Sequence, residues 1–191
     1  QNRYLKTHLK LNIRVIGLSN SRTMYFDENG IDLSNWKQNL ANGEAVTLDS
    51  FLNKVSILNL RNSVFVDNTA NKEVSEMYEH YLRKNIGVVT CNKTLKRISR
   101  KYNAPFLFET NVGAGLPIID TLKNLIASGD RIQKIQAVLS GSLNYVFNNF
   151  DESSTFRDIV QSAQNEGYTE PDPKIDLSGI DVARKILILA R

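Results

Sequence analysis

The sequence predicts an α/β fold: a doubly wound parallel sheet over residues 1–111, followed by a partial α+β unit over residues 112–191. Three observations predict it. Short β-rich runs alternate with amphipathic helical ones from Asn12 onward, and parallel strands joined by helical crossovers satisfy such alternation economically. Past Val112 the style changes to longer helical stretches around one strand-like run. With 191 residues, 41% of them hydrophobic and 23% charged, the chain has material for a real core.

The elements follow in order. "NIRVIGLSNS" reads as a strand, and Asn29-Gly30 is a turn signal. "TLDSFLNKVSIL" has Thr47 as a plausible N-cap, and "SVFVDNT" is a buried-type strand. In "NKEVSEMYEHYLRKN", Val74, Met77, Tyr78, Tyr81 and Leu82 recur at helical spacing, which predicts one helix with one apolar face. "IGVVTCN" and "APFLFETN" read as two further strands, with "KTLKRISRKYN" as a tight crossover between them. Pro117 can open the helix "LPIIDTLKNLIAS", "KIQAVLSGSLNYVF" is strand-like, and Gly167 stops the helix "STFRDIVQSAQNEG". Residues 169–176 read as an ordered loop. Ser178 and Asp181 then resemble a capping box that starts "IDVARKILILAR".

Composition excludes several classes. A net charge of +4 comes from 24 basic against 20 acidic residues, too mild an excess to imply nucleic acid, and the basic stretch Lys96, Arg97, Arg100 and Lys101 lacks interleaved aromatics. One cysteine, Cys91, precludes an internal disulfide, and with two histidines no Cys/His zinc spacing can be assembled. No apolar run approaches the ~20 residues that span a bilayer. A soluble cytoplasmic protein with neither a nucleic-acid nor a membrane partner is expected.

In a doubly wound sheet, ligands gather beyond the carboxyl ends of the strands, so the residues just after each strand are the candidates. In "GLSNSRT", Ser21 and Arg22 stand where a dinucleotide-binding fold reads the adenosine ribose, and an arginine there suits a 2′-phosphate; a plain polar turn explains them equally. In "DNTANK", Thr69 and Ala70 can border a flat cofactor, or Asn68 or Thr69 can simply cap a helix. Lys93 can place an ammonium beside a phosphate or a carbonyl, or be an ordinary exposed lysine. If "FETNVGAGLP" is extended, the carbonyls of Val112, Ala114 and Leu116 share a side, and with Glu109 they could cage a hard cation; otherwise it is a glycine-rich bend. The segment "GYTEPDPKIDLSGIDVARK" crowds Glu170, Asp172, Asp176 and Asp181 around two prolines. Like charges so placed repel unless a cationic ligand or a lysine offsets them, and Lys185 lies four residues after Asp181 on a helix.

Together, "NVGAGLPIIDTL", "LSGSLNYVF" and "GYTEPDPKIDLSGIDVARK" resemble homoserine dehydrogenase, most closely the dehydrogenase part of bifunctional aspartokinase/homoserine dehydrogenases. The resemblance implies a Rossmann-like NAD(P)-binding domain followed by a catalytic and dimerisation domain. It further implies reduction of L-aspartate 4-semialdehyde to L-homoserine, on the route to threonine, methionine and isoleucine. It makes Lys185 the acid/base lysine, with Asp181 and Lys93 as catalytic partners. Glu170, Asp176, Asp181, Tyr168, Gly141 and Ser142 would border the substrate. Ser21, Arg22, Thr69, Ala70, Lys93 and Gly167 would border the cofactor, NADP or else NAD. Glu109 with the carbonyls of Val112, Ala114 and Leu116 resembles the family's sodium site. A homo-oligomer is implied as well. Hydride transfer from an alcohol carbon needs a base for the hydroxyl proton, and a lysine serves only where its surroundings lower its pKa. Measured against that family, the first strand and glycine-rich loop are expected to precede Gln1, further catalytic residues to follow Arg191, and the segment after Lys93 is short. A non-catalytic regulatory or assembly domain with the same fold is the alternative.

Overall fold

A computed structural model describes residues 2–93, 101–169 and 172–190. Helix α1 (Asn2–His8) precedes a three-stranded antiparallel sheet of β1 (Gly17–Ser19), β2 (Thr23–Phe26) and β3 (Glu44–Ala45), with α2 (Trp36–Ala41) inserted before β3. Helix α3 (Leu48–Leu58) is started by a full capping box. The Thr47 hydroxyl accepts from the Ser50 N–H at 3.0 Å, and the Ser50 hydroxyl accepts from the Thr47 N–H at 2.8 Å.

A second sheet is parallel, in the order β4 (Val64–Asp67), β5 (Gly87–Thr90), β6 (Phe106–Leu107), with Asp67 opposite Thr90 and Val88 opposite Phe106. The crossover from β4 to β5 contains α4 (Lys72–Glu76) and α5 (Tyr78–Arg83). Tyr78, Tyr81, Leu82, Ile86, Val88, Ala104 and Phe106 form the main core between sheet and crossover. Phe65 stacks on Tyr81 with ring centroids 4.2 Å apart. After β6 a 3-10 turn (Glu109–Asn111) leads into α6 (Ile118–Ala127), α7 (Gly141–Asn149), α8 (Phe156–Asn165), α9 (Pro173–Leu177) and α10 (Ile180–Leu189). The architecture is α/β with a parallel sheet, as predicted. No helix among the described residues is long and apolar enough to cross a membrane.

Seven local expectations are corrected. The first predicted strand shrinks to β1 and pairs antiparallel with β2, because the Asn20 side chain accepts from the N–H groups of Arg22 and Thr23 at 2.7 and 2.8 Å and turns the chain back. Among the described residues β4 is an edge strand with one face uncovered, Val64 and Val66 being 58% and 55% exposed. The long predicted helix breaks at Met77, whose N–H bonds the Val74 carbonyl at 3.1 Å in a tightened turn. The helix that follows β4 is capped by Asn71, which accepts from the Glu73 N–H at 2.7 Å, and not by Asn68 or Thr69.

The strand-like "KIQAVLSGSLNYVF" divides in two. Its second half is α7, capped by the Ser140 hydroxyl at 3.1 Å from the Leu143 N–H. Its first half has no strand to pair with among the described residues, and a lone strand cannot satisfy its backbone. Finally, α9 occupies the predicted loop, because Asp172 caps it and Pro173 fits its first position, and α10 starts from Gly179 at φ +69° rather than from a Ser178–Asp181 capping box. The basic residues Lys96, Arg97 and Arg100 lie outside the described residues.

Candidate active site

Four pieces of chain converge on one cleft. Lys93 follows β5, the 3-10 turn carries Asn111, Gly141 opens α7, and Asp181 and Lys185 share a face of α10. Lys93, Asn111, Leu139, Gly141, Asn144 and Lys185 line a cleft of about 650 Å³. The Asp181 carboxylate bridges the two lysines: one oxygen pairs with the Lys93 ammonium and the other lies 2.8 Å from the Lys185 ammonium. Burial opposes ionisation of Asp181, yet the bonds and charges of Lys185 and Lys93 outweigh it and hold the carboxyl below its ordinary range.

Lys185 also donates to the Leu139 carbonyl at 2.6 Å, so its position is set from two sides. An ammonium has three donors, and a third is left for an oxygen atom in the cleft. Its side chain is 17% exposed, against 33% for Lys93. The apolar stem is therefore well covered while the charged end faces polar partners.

Ser142 donates to the Asp176 carboxylate at 2.8 Å, and its hydroxyl lies 2.9 Å from that of Ser140, which ties the start of α7 to α9. Glu170 lies outside the described residues. Tyr168 is not among the cleft-lining residues: it stacks on Tyr145 with centroids 4.5 Å apart, just after Gly167 leaves α8 at φ +78°. Thr69 and Ala70 follow β4, and since β4 and β5 run parallel with Asp67 beside Thr90, they leave the sheet at the same end as Lys93. Ser21 and Arg22 sit on the turn between β1 and β2, in the other sheet.

The stretch Val112–Leu116 is not extended. Gly113 and Ala114 take φ values of +84° and +51°, and the Leu116 N–H closes a turn onto the Gly113 carbonyl at 2.9 Å. The Glu109 carboxylate accepts from the N–H groups of Ile119 and Asp120, at 2.9 Å each, and so caps α6 from a distance. The extended carbonyl ladder on which the cation cage depends is absent, and Glu109 is already engaged. These four residues thus meet at a turn and a helix start instead of along an extended strand.

Sequence reasoning missed two features. The Leu139 carbonyl is a backbone group, invisible to side-chain motifs. Asn92, Thr90, Asn111 and Tyr78 form a buried polar group with Asp67, yet Tyr78 reads as plain core in a helical pattern. The available signal was the polar ending of both strands, Asp67-Asn68 and Thr90-Cys91-Asn92.

Residues 117–191 match the family model described as homoserine dehydrogenase. The chain is 43% identical to the bifunctional aspartokinase/homoserine dehydrogenase 1, chloroplastic, of Zea mays, over 98% of this chain and 22% of that protein. It is 37% identical to the homoserine dehydrogenase of Schizosaccharomyces pombe, over 100% of this chain and 55% of that one. The fold is similar to a hyperthermophilic archaeal homoserine dehydrogenase in complex with NADPH, with a TM-score of 0.76 at 26% identity, over 96% of this chain and 62% of that one. The chain thus spans about a fifth of the Zea mays relative and about half of the Schizosaccharomyces pombe one. These relatives are enzymes by name, which does not favour the regulatory or assembly alternative.

Proposed function

We propose that the chain is part of a homoserine dehydrogenase and that its protein interconverts L-aspartate 4-semialdehyde and L-homoserine with NAD(P)H, a reading supported by the family model over residues 117–191 and by the similar relatives. The single observation that carries the reading is the Asp181 carboxylate held between Lys93 and Lys185 at the cleft. Catalytic chemistry on an aldehyde carbonyl needs a proton donor fixed beside the oxygen. Lys185 has the geometry for it: two of its donors are spent on Asp181 and the Leu139 carbonyl, and a third is left for the substrate oxygen.

The nicotinamide cofactor, when bound, supplies the hydride for reduction or accepts it in oxidation. As the carbonyl carbon gains the hydride, Lys185 passes a proton to the oxygen; in the reverse direction the deprotonated amine takes the hydroxyl proton. Asp181 keeps both lysines aligned, and Lys93 adds positive charge beside the developing alkoxide. Asp176, anchored by Ser142, and Glu170 meet the substrate ammonium, with Gly141 and Tyr168 at the border.

For the cofactor, Thr69, Ala70 and Lys93 at one end of the parallel sheet suit the nicotinamide ribose. Ser21, Arg22 and Gly167 complete the set, Arg22 favouring NADP over NAD. A sodium ion on Glu109, Val112, Ala114 and Leu116 would require this turn to rearrange, and no step is assigned to it. Residues 1–111 then belong to the cofactor domain and 112–191 to the catalytic and dimerisation domain of a cytoplasmic homo-oligomer; fusion to an aspartate kinase follows the Zea mays relative, itself named as chloroplastic. NADP-dependent oxidation of L-homoserine by the intact protein tests the proposal, and the absence of turnover with either NADP or NAD overturns it.

A further inference from the structure

Beneath the cleft lies a polar group for which the proposed chemistry has no use. Asp67, Thr90 and Asn92 are 2% exposed, Asn111 1% and Tyr78 0%. The parallel pairing of β4 and β5 brings them together. Asp67 accepts from the Tyr78 hydroxyl and, at 3.2 Å, from the Asn92 side-chain amide, while the Tyr78 hydroxyl lies 2.7 Å from that of Thr90. Burial and the Asp67 bond push the Tyr78 hydroxyl pKa up, so it stays a neutral donor.

Three bonding parts of Asn92 are held as follows. Its N–H donates to the Thr90 hydroxyl at 2.8 Å, its side-chain amide also donates to the Asn71 carbonyl at 2.7 Å, and its carbonyl accepts from the Asn111 side chain at 3.0 Å. Burying this many polar groups is costly unless each is satisfied, so the group is over-built for packing alone. Its next residue is Lys93, whose ammonium crosses to Asp181 on α10. Asn111 lines the same cleft as both lysines, and its Oδ1 is buried with no partner among the described residues. Turning that amide over would set two acceptor oxygens face to face at the Asn92 carbonyl, which fixes its orientation.

We propose that Asn92 and Asn111 form a brace that positions Lys93: they clamp the peptide at the root of its flexible stem so that the ammonium meets Asp181 and the substrate in one geometry. The role of the brace in turnover rests on the homoserine dehydrogenase reading; its grip on Lys93 does not. In the intact protein, Asn111→Leu and Asn111→Asp both remove the donor to the Asn92 carbonyl, the first keeping volume and the second shape. Each is expected to lower kcat for homoserine about 10–100-fold, the range for residues that orient a reacting group. In a Lys93→Met background the same substitutions should cost nothing further, because the group they position is gone.

A second readout needs no turnover. After reductive methylation of the lysines with a carbon-13 label, the Lys93 signal, identified by its loss in Lys93→Met, should change its chemical shift in both variants as its contact with Asp181 alters, while that of Lys37 does not. An unchanged Lys93 chemical shift, or an undiminished loss of kcat in the Lys93→Met background, overturns the brace. A wild type that fails to oxidise homoserine overturns the functional proposal instead, and the labelling result still decides the brace. Should Asn111→Leu not fold, Asn111→Asp and Asn92→Ser carry the same measurements.

Discussion

Replacing Lys185 by Met keeps most of the stem and removes the ammonium, which separates packing from chemistry at the centre of the site. Two contacts are lost: the bond to the Leu139 carbonyl at 2.6 Å and the ion pair with Asp181 at 2.8 Å. The first contributes about 1 kcal/mol, and the second, with Asp181 39% exposed, adds at most about 1 kcal/mol. Stability should therefore fall by about 1–2 kcal/mol, a Tm decrease of several degrees that leaves the fold intact. Turnover should fall much further. Losing a positioned acid/base group costs about 10²–10⁴-fold in kcat, or about 3–5 kcal/mol of transition-state stabilisation. The assay is NADP-dependent homoserine oxidation by the intact protein, alongside NADPH binding by fluorescence titration and a melting curve. Folded protein that binds NADPH as the wild type does and turns over slowly is the expected result. A Lys185→Met variant that retains more than about a tenth of wild-type kcat refutes the proton-transfer role.

Three further expectations follow from the same geometry. Asp181 has its folded-state pKa depressed, so its stabilising contribution is present above the unfolded carboxyl pKa of about 3.9 and is lost as pH falls through the folded value. Wild type should accordingly lose Tm faster than Asp181→Asn on acidification below about pH 5, by an amount within about 1 kcal/mol because the carboxylate is partly solvated; parallel curves contradict it. Arg22→Glu should move the NADPH-to-NADH ratio of kcat/KM toward NADH by about tenfold, and an unchanged ratio removes Arg22 from the cofactor site. Glu109→Ala frees two N–H groups at the start of α6 and should destabilise by about 1–2 kcal/mol in a denaturant titration. If wild-type turnover also rises with sodium over potassium and that response disappears in Glu109→Ala, the turn does bind a cation.

Much of the architecture was legible because it rests on local rules. Thr47 and Ser50 cap α3 through side chains within one turn, Pro117 precedes α6, and Gly167 ends α8 in the left-handed conformation that a glycine tolerates best. What failed was long-range. "KIQAVLSGSLNYVF" has strand composition throughout, but a strand exists only where a neighbour pairs with it, and Ser140 offered the second half a helix cap instead. In "SVFVDNT" the apolar run did not disclose that one face of β4 would be left uncovered. The pair Asp181 and Lys185 was legible from its spacing of four. The arrival of Lys93 at the same carboxylate, across 88 positions, was not legible from spacing and came from the family resemblance.

By itself the sequence determined the residue types at the candidate site, the α10 face that carries Asp181 and Lys185, and the resemblance to homoserine dehydrogenase. These are short-range pattern or matters of identity, and both survive without coordinates. Only the tertiary structure decided that one carboxylate is shared by two lysines, that the Leu139 carbonyl holds Lys185, and that buried Asn92 and Asn111 hold the root of Lys93. Each of those contacts joins segments far apart in the chain. Their geometry is set by how the parallel sheet and the C-terminal helices pack, which no local propensity encodes.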